Sequence, residues 1–323
     1  MAFLALDLHG QAQQTPAMPL RPLLALLALA ATWGASYLLI AVALRTTTPA
    51  TLTLLRFLPA ALLVAALAHS RGQLVSLRGR WRPVVLLALV QQAAPMLLIA
   101  VGERSIPSGL AGTLVAATPL WGALLAPVLG GVRPSRLAWT GLLVGIAGVG
   151  LLLGVDTDGA ALLGCALVLL AGLGYAVGAA WTGRRFPDVP RRGLLTGVLV
   201  ASSLLLVPPV LLDPPTRLPS LQGVAAIAVL GLVGTGLAFV VMYWLIGAVG
   251  PERTTLVTYL APVFAVAYGA LLLDEALTAQ GVAGLGLVVV GAVLAGRRQR
   301  VTATGGRRDG SATPARPALG AVR

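Results

Sequence analysis

Between residues 22 and 296, long apolar runs alternate with short polar connections, and the alternation occurs ten times. The runs fall at 22–42, 49–69, 82–102, 107–129, 136–155, 159–183, 193–212, 222–247, 253–273 and 277–296. Each is close to the about 20 residues that an apolar helix needs to cross a hydrocarbon core. Landmarks recur at one spacing. Pro119 and Pro262 are 143 apart (262 − 119 = 143), and Gly141/Gly284, Gly148/Gly291 and Ser135/Thr278 keep that offset. Trp33 and Tyr175 are offset by 142. Five spans per copy force the second copy to enter the membrane the opposite way, an architecture used for alternating access. The pattern predicts an all-α membrane protein: ten transmembrane helices as two inverted five-helix repeats around a central cavity. The expected divisions are an N-terminal cytoplasmic tail (1–21), a first repeat (22–155), a second repeat (156–296) and a basic disordered cytoplasmic tail (297–323).

Composition agrees. Hydrophobic residues make up 58% of the chain, charged residues 10%, and the mean hydropathy is +0.92. A soluble domain carries about 25% charge to cover its surface. The net charge of +13 suggests a nucleic-acid partner until the charges are placed. All 23 basic residues are arginine, and 19 lie on one side of the ten-span topology. This is the positive-inside bias, an orientation signal that sets both termini in the cytoplasm and argues against nucleic acid. The lysine-free, Ala/Leu/Gly/Arg-rich composition points to a bacterial inner membrane. Met1–Leu20 has no positive region before its short apolar stretch, so it does not read as a cleaved signal. The lone Cys165 excludes an internal disulfide and a cysteine zinc site, and the two histidines have no ligand partner. No cofactor is expected. Gly141-x-x-x-Gly145, Gly150-x-x-x-Gly154 and Gly174-x-x-x-Gly178 have helix-packing spacing and leave a homodimer open.

Polar groups inside the spans are the candidates for cargo binding, since intramembrane charge is functional by default. Arg56 lies about 10 Å from the outer end of the second span at the helical rise of about 1.5 Å per residue. Two readings stay open: an anchor for an anionic group such as a carboxylate, or a side chain that snorkels or caps carbonyls. Gln91 and Gln92 sit side by side in span three, one expected to face the cavity and the other a neighbouring helix. Trp33, Ser36 and Tyr37 share one face of span one, and Tyr175 sits on a similar face of span six. These aromatic faces suit stacking or cation–π contacts with cargo, or plain core packing. Thr235, Tyr243 and Tyr259 are further hydrogen-bonding candidates. Pro119 and Pro262 each leave backbone carbonyls unpaired and are expected to break their helices near a cavity or to kink them for packing. No span interior holds Asp, Glu or His, and Glu103, Asp274 and Glu275 lie at span ends. A facilitator, an exchanger and coupling through an end carboxylate all remain open. No Walker motif is present.

These local sequences also resemble a family. Ala31-Thr32-Trp33-Gly34-Ala35-Ser36-Tyr37, Leu55-Arg56-Phe57, Leu114-Val115-Ala116-Ala117-Thr118-Pro119-Leu120, Thr258-Tyr259-Leu260-Ala261-Pro262-Val263-Phe264 and Leu273-Asp274-Glu275-Ala276-Leu277-Thr278 resemble, in order, motifs of the EamA-type transporters of the drug/metabolite transporter superfamily. The resemblance covers about 22–296. It implies a two-repeat transporter, usually an exporter of small metabolites or drugs. Two features depart from it. Glu275 aligns with Val132 (275 − 143 = 132), so the first copy lacks the acid, and Gly174-Tyr175 stands where a tryptophan is frequent.

The reading is therefore a secondary transporter that exports amino-acid-like metabolites or drugs across the plasma membrane by alternating access, with a small-molecule substrate and the lipid bilayer as partners. The alternatives are a non-transporting membrane scaffold or sensor and, more remotely, an intramembrane enzyme. The spans lack the paired acids or metal ligands that an enzyme needs.

Overall fold

A computed structural model describes residues 4–6, 12–14, 18–77, 79–128, 134–153 and 158–296. The tail expected at 297–323, Val132 and Gly154 lie outside them. The helices are α1 (Leu20–Leu44), α2 (Pro49–His69), α3 (Trp81–Gly102), α4 (Ser108–Leu125), α5 (Arg136–Leu153), α6 (Gly159–Arg185), α7 (Arg191–Leu212), α8 (Leu221–Thr254), α9 (Leu256–Leu272) and α10 (Ala279–Gly296). Among the described residues, nine are long and apolar enough to cross a membrane; α9, with 17 residues, is shorter. A three-residue antiparallel pair, Leu4–Leu6 with Ala12–Gln14, departs from the all-helical expectation.

The shortness of α9 has a local cause. Gly250 takes φ 82° and ψ 163°, a conformation open to glycine, and it kinks the chain inside α8. Helical geometry resumes at Pro251, so the turn Pro251–Thr254 is counted with α8 although it leads into α9. Pro251 is the counterpart of Ser108, the first residue of α4 (251 − 143 = 108).

Polar residues start several helices. Thr48, Asp158 and Ser220 cap α2, α6 and α8 by accepting the amides of Thr51, Ala161 and Gly223. Pro49 sits in the first turn of α2, where its missing N–H costs nothing.

Packing repeats between the halves. α1 lies against α8 and α9, as α6 lies against α3 and α4, and α2 packs on α7. The tightest pair is α5 with α10, which are sequence counterparts. A Cβ on Gly141 would stand 2.6 Å from the Gly291 carbonyl oxygen and 2.5 Å from the Ala295 nitrogen. One on Gly148 would stand 3.0 Å from the Gly284 oxygen and 2.7 Å from the Val288 nitrogen. Residue numbers rise along α5 as they fall along α10, so the two run antiparallel. Apolar burial does not drive association in lipid, and glycine allows the backbone contact that does. Gly174 and Gly178 likewise admit Val90, Pro95 and Gln91 of α3. Gly150 has no such role: a Cβ there would meet nothing within 4 Å, which corrects its reading as a packing glycine.

Large apolar side chains face outward, among them Leu62, Leu143, Leu163, Leu204 and Leu271, each at least 60% exposed. An apolar exterior of this extent suits lipid.

Candidate transport site

Both α3 and α8 contain a π-helical stretch, Leu89–Ala93 and Leu232–Leu237, and the two begin 143 residues apart (232 − 89 = 143). A π turn leaves backbone groups free for other partners and is frequent at functional sites. Gln91 and Gln92 lie in the first stretch and Thr235 in the second, where Thr235 is the counterpart of Gln92 (235 − 143 = 92).

Thr235 holds the central charge. Its Oγ1 donates to the Leu230 carbonyl at 2.9 Å and accepts from Arg56 Nε at 2.8 Å. Arg56 is 3% exposed. Glycine makes this approach possible: a Cβ on Gly231 would stand 2.6 Å from the Arg56 carbonyl oxygen. A buried guanidinium fixed through one nitrogen does not snorkel. The field of Arg56 reaches Tyr37 of α1, Tyr175 of α6 and Glu103 just after α3. Four helices and one connection therefore converge on it.

The remaining candidates separate. Tyr37 and Tyr175 are half-buried beside this centre, with Tyr37 packed on Gly112 of α4. Ser36 is buried; its hydroxyl bonds the Thr32 carbonyl and faces Gly234. Trp33 meets Phe239 edge to face at 6.1 Å, and Phe239 lies 6.3 Å from Tyr243. Tyr243 in turn carries the Arg191 guanidinium at 5.9 Å, so this aromatic row leads from α1 toward the start of α7. Gln91 turns to α6, accepting from Thr182 at 3.1 Å. Gln92 is buried, and among the described residues its amide nitrogen has no protein partner. Tyr259 bonds the Ala292 carbonyl of α10 at 3.2 Å, a packing contact away from Arg56. The helix of α4 is interrupted at Ala116–Ala117, two residues ahead of Pro119. Pro262 lies inside α9 without interruption, so the expected second break is absent.

Two acids at span ends belong to this region although the sequence placed them in connections. Glu275 accepts from the Ser108 amide at 2.7 Å and the Gly109 amide at 2.9 Å, capping α4 from the turn after α9. Glu103 is 8% exposed, and among the described residues neither carboxylate oxygen has a hydrogen-bond partner. Burial, reinforced by Glu275, pushes its carboxyl well above the usual range, and Arg56 opposes the shift. A cavity of about 470 Å³ opens beside Pro107, Thr113, Glu275, Thr278 and Gln280. No residue singled out from the sequence for cargo binding lines it, and its carboxylate is already held by two amides. Among the described residues, no group of three or more metal-binding side chains occurs.

Comparison with known proteins supplies the class. The EamA-like transporter family matches residues 20–154 and again 162–297. The chain belongs to this family. It is 31% identical over 282 residues to the uncharacterized inner membrane transporter YedA of Escherichia coli K12, covering 84% of this chain and 89% of that protein. It is 27% identical over 297 residues to a probable terminal-alkyne amino-acid exporter of Streptantibioticus cattleyicolor, covering 88% of this chain and 95% of that one. A crystal structure with 24% identity shares the fold, at a TM-score of 0.64 over 85% of this chain and 97% of the other. The protein is thus a transmembrane member of a transporter family whose relatives include inner membrane transporters.

Proposed function

We propose that this protein is a secondary transporter that exports small amino-acid-like metabolites across the bacterial plasma membrane by alternating access. Its ten helices form two inverted repeats, 22–155 and 156–296, around the Arg56 site, with both termini cytoplasmic. The antiparallel crossing of the counterpart helices α5 and α10 supports the inversion. The parity of the arginines supports the orientation.

The buried, Thr235-anchored guanidinium of Arg56 carries the cargo reading. Its Nε is committed to Thr235, and among the described residues its two terminal nitrogens have no protein acceptor. They form the planar fork that fits a carboxylate. Tyr37 and Tyr175 beside it suit an apolar or aromatic side chain. The amino-acid exporter among the relatives agrees with this class.

The test is flux of labelled amino acids and of cationic dyes in proteoliposomes of the purified protein. Saturable amino-acid flux without dye flux supports the proposal. Dye flux alone moves the reading to drug export.

A further inference from the structure

The region around Glu103 has an acid with nothing to bind. Among the described residues both its oxygens are buried and unpartnered, and so is the hydroxyl of Ser108, which is 2% exposed. No ion pair joins Glu103 to Arg56, although each feels the other's charge. An ionised carboxylate in this setting carries the full cost of desolvation, whereas a protonated one does not. The titratable and charged groups facing Glu103 are Tyr37 from α1, Arg56 from α2 and Glu275 from the turn after α9. Tyr175 of α6 lies within the field of Arg56. Arg104, next in sequence, is exposed. Glu275 is fixed on the Ser108 and Gly109 amides, so Glu103 is the acid left with free bonding capacity.

Resting on the amino-acid reading above, we infer that Glu103 is a proton-binding site within the field of Arg56 and exchanges its proton for the ammonium group of the cargo. Arg56 and Glu103 then form two poles that match a zwitterion. The carboxylate of the cargo docks on the guanidinium, and its ammonium approaches Glu103. The O–H bond of Glu103 breaks, the proton leaves to water, and the carboxylate left behind pairs with the intact ammonium. Cargo and proton compete for one acid, which is the condition for antiport. An inward proton gradient can then drive export.

Infrared spectroscopy of the purified full-length protein tests this without knowledge of the cargo. At neutral pH, the wild type is expected to show the carbonyl band of a buried protonated carboxylic acid. The band should vanish in Glu103→Gln, move in Glu103→Asp and persist in Glu275→Gln. Adding a mixture of the common amino acids should diminish it and acidify a lightly buffered solution. A wild type without the band, a band kept in Glu103→Gln, or a band indifferent to amino acids overturns the inference. Amino-acid flux without the band condemns Glu103 alone; the band without amino-acid flux condemns the cargo assignment.

Discussion

Glu275 and Ser108 are 167 residues apart in sequence, yet the Glu275 carboxylate accepts the Ser108 amide hydrogen at 2.7 Å. The bond ties the turn after α9 to the start of α4, across the two halves. The same positions in the other repeat differ at both ends of this bond. The counterpart of Ser108 is Pro251, which has no amide hydrogen to cap, and the counterpart of Glu275 is Val132. One of the two donors is thus missing along with the acceptor, while the counterpart of Gly109, Glu252 (252 − 143 = 109), keeps its amide hydrogen.

Replacing this cap has a defined cost. Glu275→Ala is expected to lower stability by about 1–3 kcal/mol, since it strands two amides. Glu275→Gln, which keeps one acceptor oxygen, should lose less. Thermal unfolding in detergent reads both, and equal stability of Glu275→Ala and wild type would contradict the cap.

At the α5–α10 crossing, Gly291→Ala places a methyl against the Gly141 carbonyl oxygen, 2.6 Å from the ideal Cβ. Overpacking of this kind costs about 1–3 kcal/mol. Gly286, on the same helix, has nothing within 4 Å of its Cβ position. Gly286→Ala should therefore be neutral or slightly stabilising. A reversal of this order in melting temperature would refute the crossing.

Among the described residues, nine of the ten apolar segments return as helices long and apolar enough to cross a membrane; they were legible because lipid demands length and apolarity, and both survive in the sequence. The surroundings of Glu103 and Glu275 were not. Each lies just past a helix end, where a charge reads as solvated, and only the neighbours brought by α1, α2 and α4 bury or bind it. The π stretches left a fainter trace. Gln92 and Thr235 are polar residues at the repeat offset, but hydropathy does not register an added residue in a turn. The expectation for Pro262 failed because α9 absorbs it without a break, while the discontinuity falls earlier, at Gly250 and Thr255.

On the arginine-rich face, Arg80 holds Asp188 through two bonds of 2.8 and 2.7 Å. The hydrogen bond from Arg80 keeps the Asp188 carboxyl below its usual value. A lowered folded value stabilises the fold above the ordinary aspartate range, and this contribution disappears as pH falls through the folded value. Protease nicking of the connections at 70–80 and 186–190 should therefore rise in acid and in high salt. Asp188→Asn should remove the acid-dependent part. A pH-independent nicking rate in the wild type would count against the pair.

Tyr259→Phe separates packing from transport. Loss of the hydroxyl bond to Ala292 should cost about 0.5–1.5 kcal/mol of stability and leave cargo affinity unchanged. A raised KM would return Tyr259 to the site.

The account centres on Arg56, held by Thr235, as the cargo anchor. The most direct measurement is counterflow of labelled amino acids in proteoliposomes with wild type, Arg56→Ala, Thr235→Val and Thr235→Ser. The account predicts loss of counterflow in Arg56→Ala with the fold intact. Thr235→Val should weaken it by about 10–100-fold, the equivalent of about 1.5–3 kcal/mol for a bond to a charged group, and Thr235→Ser should restore it. Wild-type counterflow in a folded Arg56→Ala protein would contradict it.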